Sequence, residues 1–187
     1  RDIRILPGIA QRDAAAPDVM RGEETQLLGA LGLDAAGEAL VCMPGTHSKW
    51  VRVKDGTVEG FSTFMTGELF SVVSRETILS LAVAGADEAE DVASFNSAVK
   101  AAFEAPAFAA NLLFTARSRQ LLFGSTPAAA RETLSGTLIG AELAAGLSGS
   151  VPKAGITLIA SGRLAALYRQ AFDALSVTVN PIDADEA

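Results

Sequence analysis

The sequence predicts an α/β protein built on a mixed sheet, with an antiparallel portion at one side. Three observations carry that expectation. Between Ala39 and Met65, three β-rich runs follow one another across short turns, which is the pattern of a meander. From Thr66 to Leu147, apolar residues recur at helical spacing. Beyond Pro152, the apolar run Ile156–Ala160, a helical stretch and a second short apolar run alternate, as strands and helices do around a parallel sheet.

In chain order, Arg1–Ala10 reads as a strand and turn, because Ile3 and Ile5 alternate with charged neighbours before Pro7-Gly8 breaks the run. Gln11–Pro17 reads as a loop. From Gly22 onward, Glu23 and Glu24 precede a stripe of Leu27, Leu28 and Leu31, so a helix is expected there, ended by Gly32 and the stretch Asp34–Gly37. In the meander, Lys54-Asp55-Gly56 is a type I′ hairpin signal. Four helical segments should follow. Thr66–Ala84 has Thr66 as its candidate N-cap and Leu69, Phe70, Val73, Ile78 and Leu81 as apolar positions. Ala89–Glu104 carries Val92, Phe95, Val99 and Phe103, and Phe108–Phe123 is largely apolar. Thr126–Leu147 has a Thr-Pro start and sets Leu134, Leu138, Ile139, Leu143 and Leu147 along one side. Gly146–Pro152 is a break. Ser161-Gly162-Arg163 then turns the Ile156–Ala160 strand into a helix ending near Ala174, and Val177–Val179 is the last strand. Arg1 falls in a strand already under way, and Asp183–Ala187 reads as an acidic helix start that stops short. Both features lead us to expect a piece of a longer protein.

Composition narrows the function. The 187 residues suffice for one domain with a real core or for part of a two-domain protein, and 49% of them are hydrophobic. A net charge of −7 argues against a nucleic-acid or anionic-membrane partner. One cysteine, Cys42, excludes an internal disulfide; in a strand-like run it reads as a buried structural thiol. With no signal-like segment and no long apolar run, the expected setting is soluble and cytoplasmic.

The stretch Leu40–Val53 reads most directly as chemistry. An apolar run enters a turn at Pro44-Gly45, and the turn displays Thr46, His47, Ser48 and Lys49 before the next β-rich run. Two hydroxyls, successive backbone N–H groups and an ammonium on a tight turn suit a phosphate group; an ordinary hydrophilic hairpin is the other reading. A lone histidine cannot build a metal site, so His47 is expected to be a hydrogen-bonding turn residue and no protein metal cluster is expected. Lys49 can face a phosphate or simply be an exposed lysine at a strand start. There is no G-x-x-x-x-G-K-[ST] and no G-x-G-x-x-G after a strand, which excludes the P-loop and Rossmann readings.

The element order, with a phosphate-type turn after the first strand of the meander, resembles one half of the actin, Hsp70 and sugar-kinase fold. Three stretches are more specific: Pro17-Asp-Val-Met-Arg-Gly-Glu-Glu-Thr-Gln26, Pro44-Gly-Thr-His-Ser-Lys-Trp50 and Phe64-Met-Thr-Gly-Glu-Leu-Phe70. They resemble signature stretches of 2-dehydro-3-deoxygalactonokinases, enzymes that move the γ-phosphate of ATP to the 6-hydroxyl of a 2-keto-3-deoxy sugar acid in galactonate breakdown. The resemblance covers essentially the whole chain and the back two-thirds of such a kinase. The family's opening strand-turn with an Asp-x-Gly-Thr-type phosphate loop has no counterpart here, nor does much of the sugar-binding domain.

What the resemblance implies is a ribonuclease-H-like domain with inserted helices. Residues 39–187 would form a C-terminal nucleotide-binding domain, and residues 1–38 the end of an N-terminal domain plus a connecting helix. It implies ATP and Mg²⁺ as cofactors, a small sugar acid as partner and a possible homo-oligomer, with no nucleic acid or membrane. Gly45, Thr46, His47, Ser48 and Lys49 take the place of the fold's second phosphate loop. Ser161, Gly162 and Arg163 take the place of the adenosine stretch, with Ala160-Ser161-Gly162 where many relatives have two consecutive glycines. Glu23 or Glu24 stands where distant sugar kinases carry a catalytic aspartate; the sequence leaves the register between them open and leans to Glu24, because Glu23 lies closer to the glycine turn. Arg21 either pairs with the substrate carboxylate or lies on the surface, and Asp18 is the next candidate for substrate or proton. Thr66-Gly67-Glu68 either closes over the site or caps a helix. The competing reading is an actin- or Hsp70-type nucleotide module that phosphorylates no small molecule. The Arg21–Glu24 stretch, with no attached peptide-binding region in the sequence, favours the kinase.

Overall fold

The computed structural model of the chain describes residues 6–32, 36–86, 90–153 and 155–187. The expected strand at Arg1–Leu6, the helix stop at Asp34 and the helix start at Ala89 fall wholly or mainly outside them. The chain divides into two compact units. The first comprises Arg1–Phe64, Ser150–Leu167 and Thr178–Ala187; the second comprises Met65–Gly149 and Tyr168–Val177.

The first unit holds the sheet. Strands β1 (Ile9–Gln11) and β2 (Asp18–Met20) form an antiparallel hairpin, followed by helix α1 (Glu23–Leu31). The meander is β3 (Glu38–Met43), β4 (Ser48–Lys54) and β5 (Thr57–Phe64), as its alternating residues predict. Asp55 and Gly56 both have positive φ, the type I′ geometry that matches the twist of the flanking strands. Two later strands, β6 (Ile156–Ile159) and β7 (Val179–Ile182), add in parallel beside β3. The five-stranded order is β5-β4-β3-β6-β7, so β5 and β7 are the edges.

Alternation decides what each strand buries. Val41, Met43, Val51, Val53, Phe61 and Ile159 form a cluster with Met20 and Leu27. Leu40, Cys42, Ile156 and Leu158 alternate with these and are buried too, so β3 and β6 are apolar on both faces, as central parallel strands are. The last strand begins two residues later than expected. Pro181 reads as a breaker, but on an edge strand its missing N–H costs no ladder bond. At Asp183 the chain makes one turn, in which Asp183 accepts the N–H of Asp185 at 3.0 Å.

The second unit is helical: α2 (Thr66–Glu76), α3 (Ser80–Val83), α4 (Val92–Glu104), α5 (Ala109–Phe123), α6 (Pro127–Gly146) and the later residues of α7 (Gly162–Ala174). Thr126 caps α6 through the N–H of Ala129 at 3.1 Å, as the Thr-Pro start predicts. The segment Thr66–Ala84 is not one helix. Thr77 is extended, and its hydroxyl bonds the Val73 carbonyl at 2.6 Å and the Leu79 N–H at 3.1 Å, replacing helix bonds with side-chain ones. After this break Ile78 and Leu81 are exposed, whereas Leu79 and Ala82 enter the cluster with Ala116, Ala130 and Leu134. Leu69, another apolar position of the segment, is exposed too. Gly136 and Gly140 of α6 lie against α4: a Cβ at Gly136 would sit 2.5 Å from the Phe95 carbonyl oxygen, and one at Gly140 would overlap the Val99 backbone.

Candidate active site

Two turns leave the sheet at the same end. β3 and β6 are parallel neighbours, with Cys42 opposite Leu158, so the turn after Met43 and the turn after Ile159 emerge side by side. Ligands bind at such carboxyl ends because strand termini there release backbone groups and loops together. The first turn is Pro44–His47, and the second runs from Ala160 into α7 at Gly162.

In the first turn Thr46 and His47 are exposed, while Ser48 is fully buried and its Oγ accepts the Gly45 N–H at 3.5 Å. A Cβ added at Gly45 would meet only the backbone of His47, at 3.7 Å and beyond. The outer side of Gly45 is therefore open. In the second turn Gly162 has φ +56, a left-handed conformation that favours glycine, and a Cβ there would meet nothing within 4 Å. Arg163 is exposed beside it, and Ser161 is half-buried.

Lys49 is not the exposed lysine of an ordinary strand start. It is 4% exposed, and its Nζ lies 3.7 Å from Glu23 Oε1. That contact joins the end of the phosphate-type turn to the first turn of α1. The two glutamates of α1 differ in their surroundings. Glu24 is buried, and its Oε2 accepts the N–H of Gly22, two residues back at the helix start, at 2.6 Å. Glu23 is half-buried, and its second oxygen accepts the Arg21 N–H at 3.1 Å. Gly22, the N-cap, has φ 109, which a side chain would strain. Arg21 is exposed. Asp18 is engaged by β5: it accepts the Thr63 N–H and Thr63 hydroxyl, each at 2.7 Å, and the Val19 N–H at 2.7 Å.

The first unit thus brings together Lys49 and Glu23, with Arg21 and Glu24 beside Glu23 in the chain, and sets the two turns on adjacent strands. Thr66 belongs to the second unit and does not cap its helix. Met65 holds the N-cap position, and the Thr66 hydroxyl donates to Glu142, which also accepts the Tyr168 hydroxyl at 2.7 Å.

Comparison with known proteins shows the family. The family model described as 2-keto-3-deoxy-galactonokinase matches residues 1–187. The chain belongs to that family. It is 60% identical over 188 residues to a protein of Rhizobium meliloti (strain 1021) named a probable 2-dehydro-3-deoxygalactonokinase. It is 35% identical over 186 residues to the 2-dehydro-3-deoxygalactonokinase of Escherichia coli (strain K12). A crystal structure from Sinorhizobium meliloti, of a protein provisionally named a 2-dehydro-3-deoxygalactonokinase, superposes with a TM-score of 0.94 at 59% identity. All of this chain is covered in each comparison, against 61%, 62% and 62% of those proteins.

Thr63 and Gln11 have no motif of their own, yet Gln11 Oε1 accepts the Phe61 N–H at 3.0 Å beside the Asp18–Thr63 contact. Thr63 lies in a β-rich run and Gln11 in a stretch that reads as a loop, and neither position says which edge the side chain reaches. No group of three or more metal-ligating side chains occurs among the described residues, and no described helix is long and apolar enough to cross a membrane.

Proposed function

We propose that this chain is the nucleotide-holding part of a kinase that transfers the γ-phosphoryl group of ATP to the 6-hydroxyl of 2-dehydro-3-deoxy-D-galactonate. Family membership supports the reaction class, and the names of the relatives support the substrate. The observation that carries the reading is the Lys49–Glu23 contact, which places a carboxylate beside a phosphate-type turn. The strand order β5-β4-β3-β6-β7, antiparallel then parallel, supports a ribonuclease-H-like domain over residues 39–187, with the helices of the second unit inserted. Residues 1–38 would then close a preceding domain and connect it.

The residues fit a nucleotide. The open side of Gly45, the exposed Thr46 and His47 and the N–H groups of the turn supply donors without a competing carboxylate on the turn itself. Ser161, Gly162 and Arg163 would receive the adenosine end, with no Cβ at Gly162 to keep the base away. Magnesium, brought with ATP and held by its phosphates and water, would neutralise charge on the γ-phosphoryl oxygens. Glu23 is the group we assign to accept the proton of the attacking hydroxyl, because Glu24 is buried and occupied in the helix start. Lys49 would hold the Glu23 carboxylate and add positive charge behind the turn. Arg21, exposed one residue before Gly22, would take the sugar-acid carboxylate in a bidentate pair. The oligomeric state enters none of these roles, and the cytoplasmic setting is proposed from the reaction class alone.

A coupled ADP-release assay with and without 2-dehydro-3-deoxygalactonate tests the proposal. ADP release that rises with the sugar acid is the expected result, and release indifferent to it would favour a nucleotide module of the actin or Hsp70 kind.

A further inference from the structure

The β1–β2 hairpin meets the five-stranded sheet through side chains. β5 is an edge strand, and the N–H groups of Phe61 and Thr63, two residues apart, bond to side chains of that hairpin. Phe61 donates to Gln11 Oε1 at 3.0 Å, and Thr63 donates to Asp18 Oδ2 at 2.7 Å. Gln11 and Asp18 are themselves register partners across the β1–β2 hairpin. Their side chains therefore act as a pair and cover two donors that an edge strand would otherwise offer to another chain. Each is also tied down locally: Gln11 Nε2 donates to the Ala16 carbonyl at 2.6 Å, and Asp18 Oδ1 accepts from Val19 N–H and the Thr63 hydroxyl.

These contacts close a ring. Thr63 is the register partner of Lys49 on β4, Lys49 reaches Glu23, and Asp18 lies five positions before Glu23 in the chain. Met20, between them, is buried in the sheet cluster. We propose that Asp18 and Gln11 are positioning residues: they clamp the hairpin to the edge of β5 and so hold Arg21–Glu24 in place beside the phosphate-type turn. A carboxylate that already accepts three protein hydrogen bonds has little capacity left to receive a substrate proton, which separates Asp18 from Glu23. This inference rests on the functional reading above for its catalytic half, and on geometry alone for the clamp.

The test uses the full-length protein with Asp18→Asn, Thr63→Val, Thr63→Ser and the Asp18→Asn/Thr63→Val double variant. Steady-state kinetics and backbone hydrogen exchange over residues 21–24 are both measured. Misplacing a catalytic group by a fraction of an ångström lowers kcat, so Asp18→Asn and Thr63→Val should each lose on the order of 10-fold, with the KM for ATP changed by less than about twofold. The double variant should be much less impaired than the product of the two single losses, because both loosen the same Asp18–Thr63 junction. Thr63→Ser, which keeps the hydroxyl, should be close to wild type, and exchange over residues 21–24 should rise in the impaired variants. If Asp18→Asn loses about 10²-fold or more while Thr63→Val loses nothing, Asp18 acts on the substrate itself and the proposal is overturned. Faster exchange with unchanged kcat would overturn its catalytic half. A wild-type protein without sugar-acid kinase activity would instead overturn the functional reading, and unchanged exchange over residues 21–24 would then overturn the clamp as well.

Discussion

Gly45 and Gly162 in the first unit, and Gly136 and Gly140 in the second, lack a side chain for opposite reasons. A Cβ at either of the first two would meet at most its own turn or nothing at all. A Cβ at either of the second two would run into the backbone of α4. Bare backbone facing open space is available to a ligand; bare backbone facing another helix is a packing surface. The polar groups divide in the same way. In the second unit Glu142 is buried and holds the hydroxyls of Thr66 and Tyr168, so it is a structural carboxylate. In the first, Glu23 is half-buried beside Lys49 and keeps access to solvent. Substitutions in the first region should change rates and affinities, and those in the second should change stability.

The largest effect is expected at Glu23. Glu23→Gln in the full-length protein should lower kcat by roughly 10²–10⁴-fold, with little change in ATP affinity or thermal midpoint. Glu24→Gln should act mainly on stability, through the helix start that Glu24 caps. Steady-state kinetics beside a melting curve decide the matter: a rate loss at Glu24 with Glu23 unaffected would reverse the roles of the two glutamates.

Gly140→Ala comes next, on the other side of the comparison. Forcing a methyl group into the α4–α6 contact should destabilise the protein by about 1–3 kcal/mol, read from urea unfolding. A neutral result would mean that the two helices separate at little cost. Gly45→Val should do the reverse. Branched atoms would occupy the open side of the turn and weaken ATP binding by about tenfold or more, while the unfolding midpoint moves little. Titration calorimetry with ATP checks it, and equal affinity in a folded variant removes the phosphate role of the turn. The smallest change is expected for Arg21→Lys, which keeps the charge and loses the planar fork. The KM for the sugar acid should rise several-fold at constant ATP affinity. An unchanged KM returns Arg21 to the protein surface.

Local pattern was enough for the elements whose identity depends on near neighbours in the chain. The meander followed from alternation and from Asp55-Gly56, since strand faces and I′ turns are set within a few residues. The α6 start followed from Thr126-Pro127 for the same reason. The motifs at 17–26, 44–50 and 64–70 pointed to the family that the whole-chain match confirms. What pattern could not supply depends on residues far apart in sequence. Lys49 looks like any strand-start lysine until α1 brings Glu23 within 3.7 Å. Thr66 looks like a cap until α6 presents Glu142, 76 positions away. Pro181 looks like a breaker until the strand proves to be an edge. Gly136 and Gly140 look like ordinary weak points in a helix until α4 lies against them. Periodicity encodes which side of an element is apolar, and hence that it will be covered. Which polar atoms meet across the gap is decided only when the covering element arrives, because hydrogen bonds and close contacts depend on position to a few tenths of an ångström.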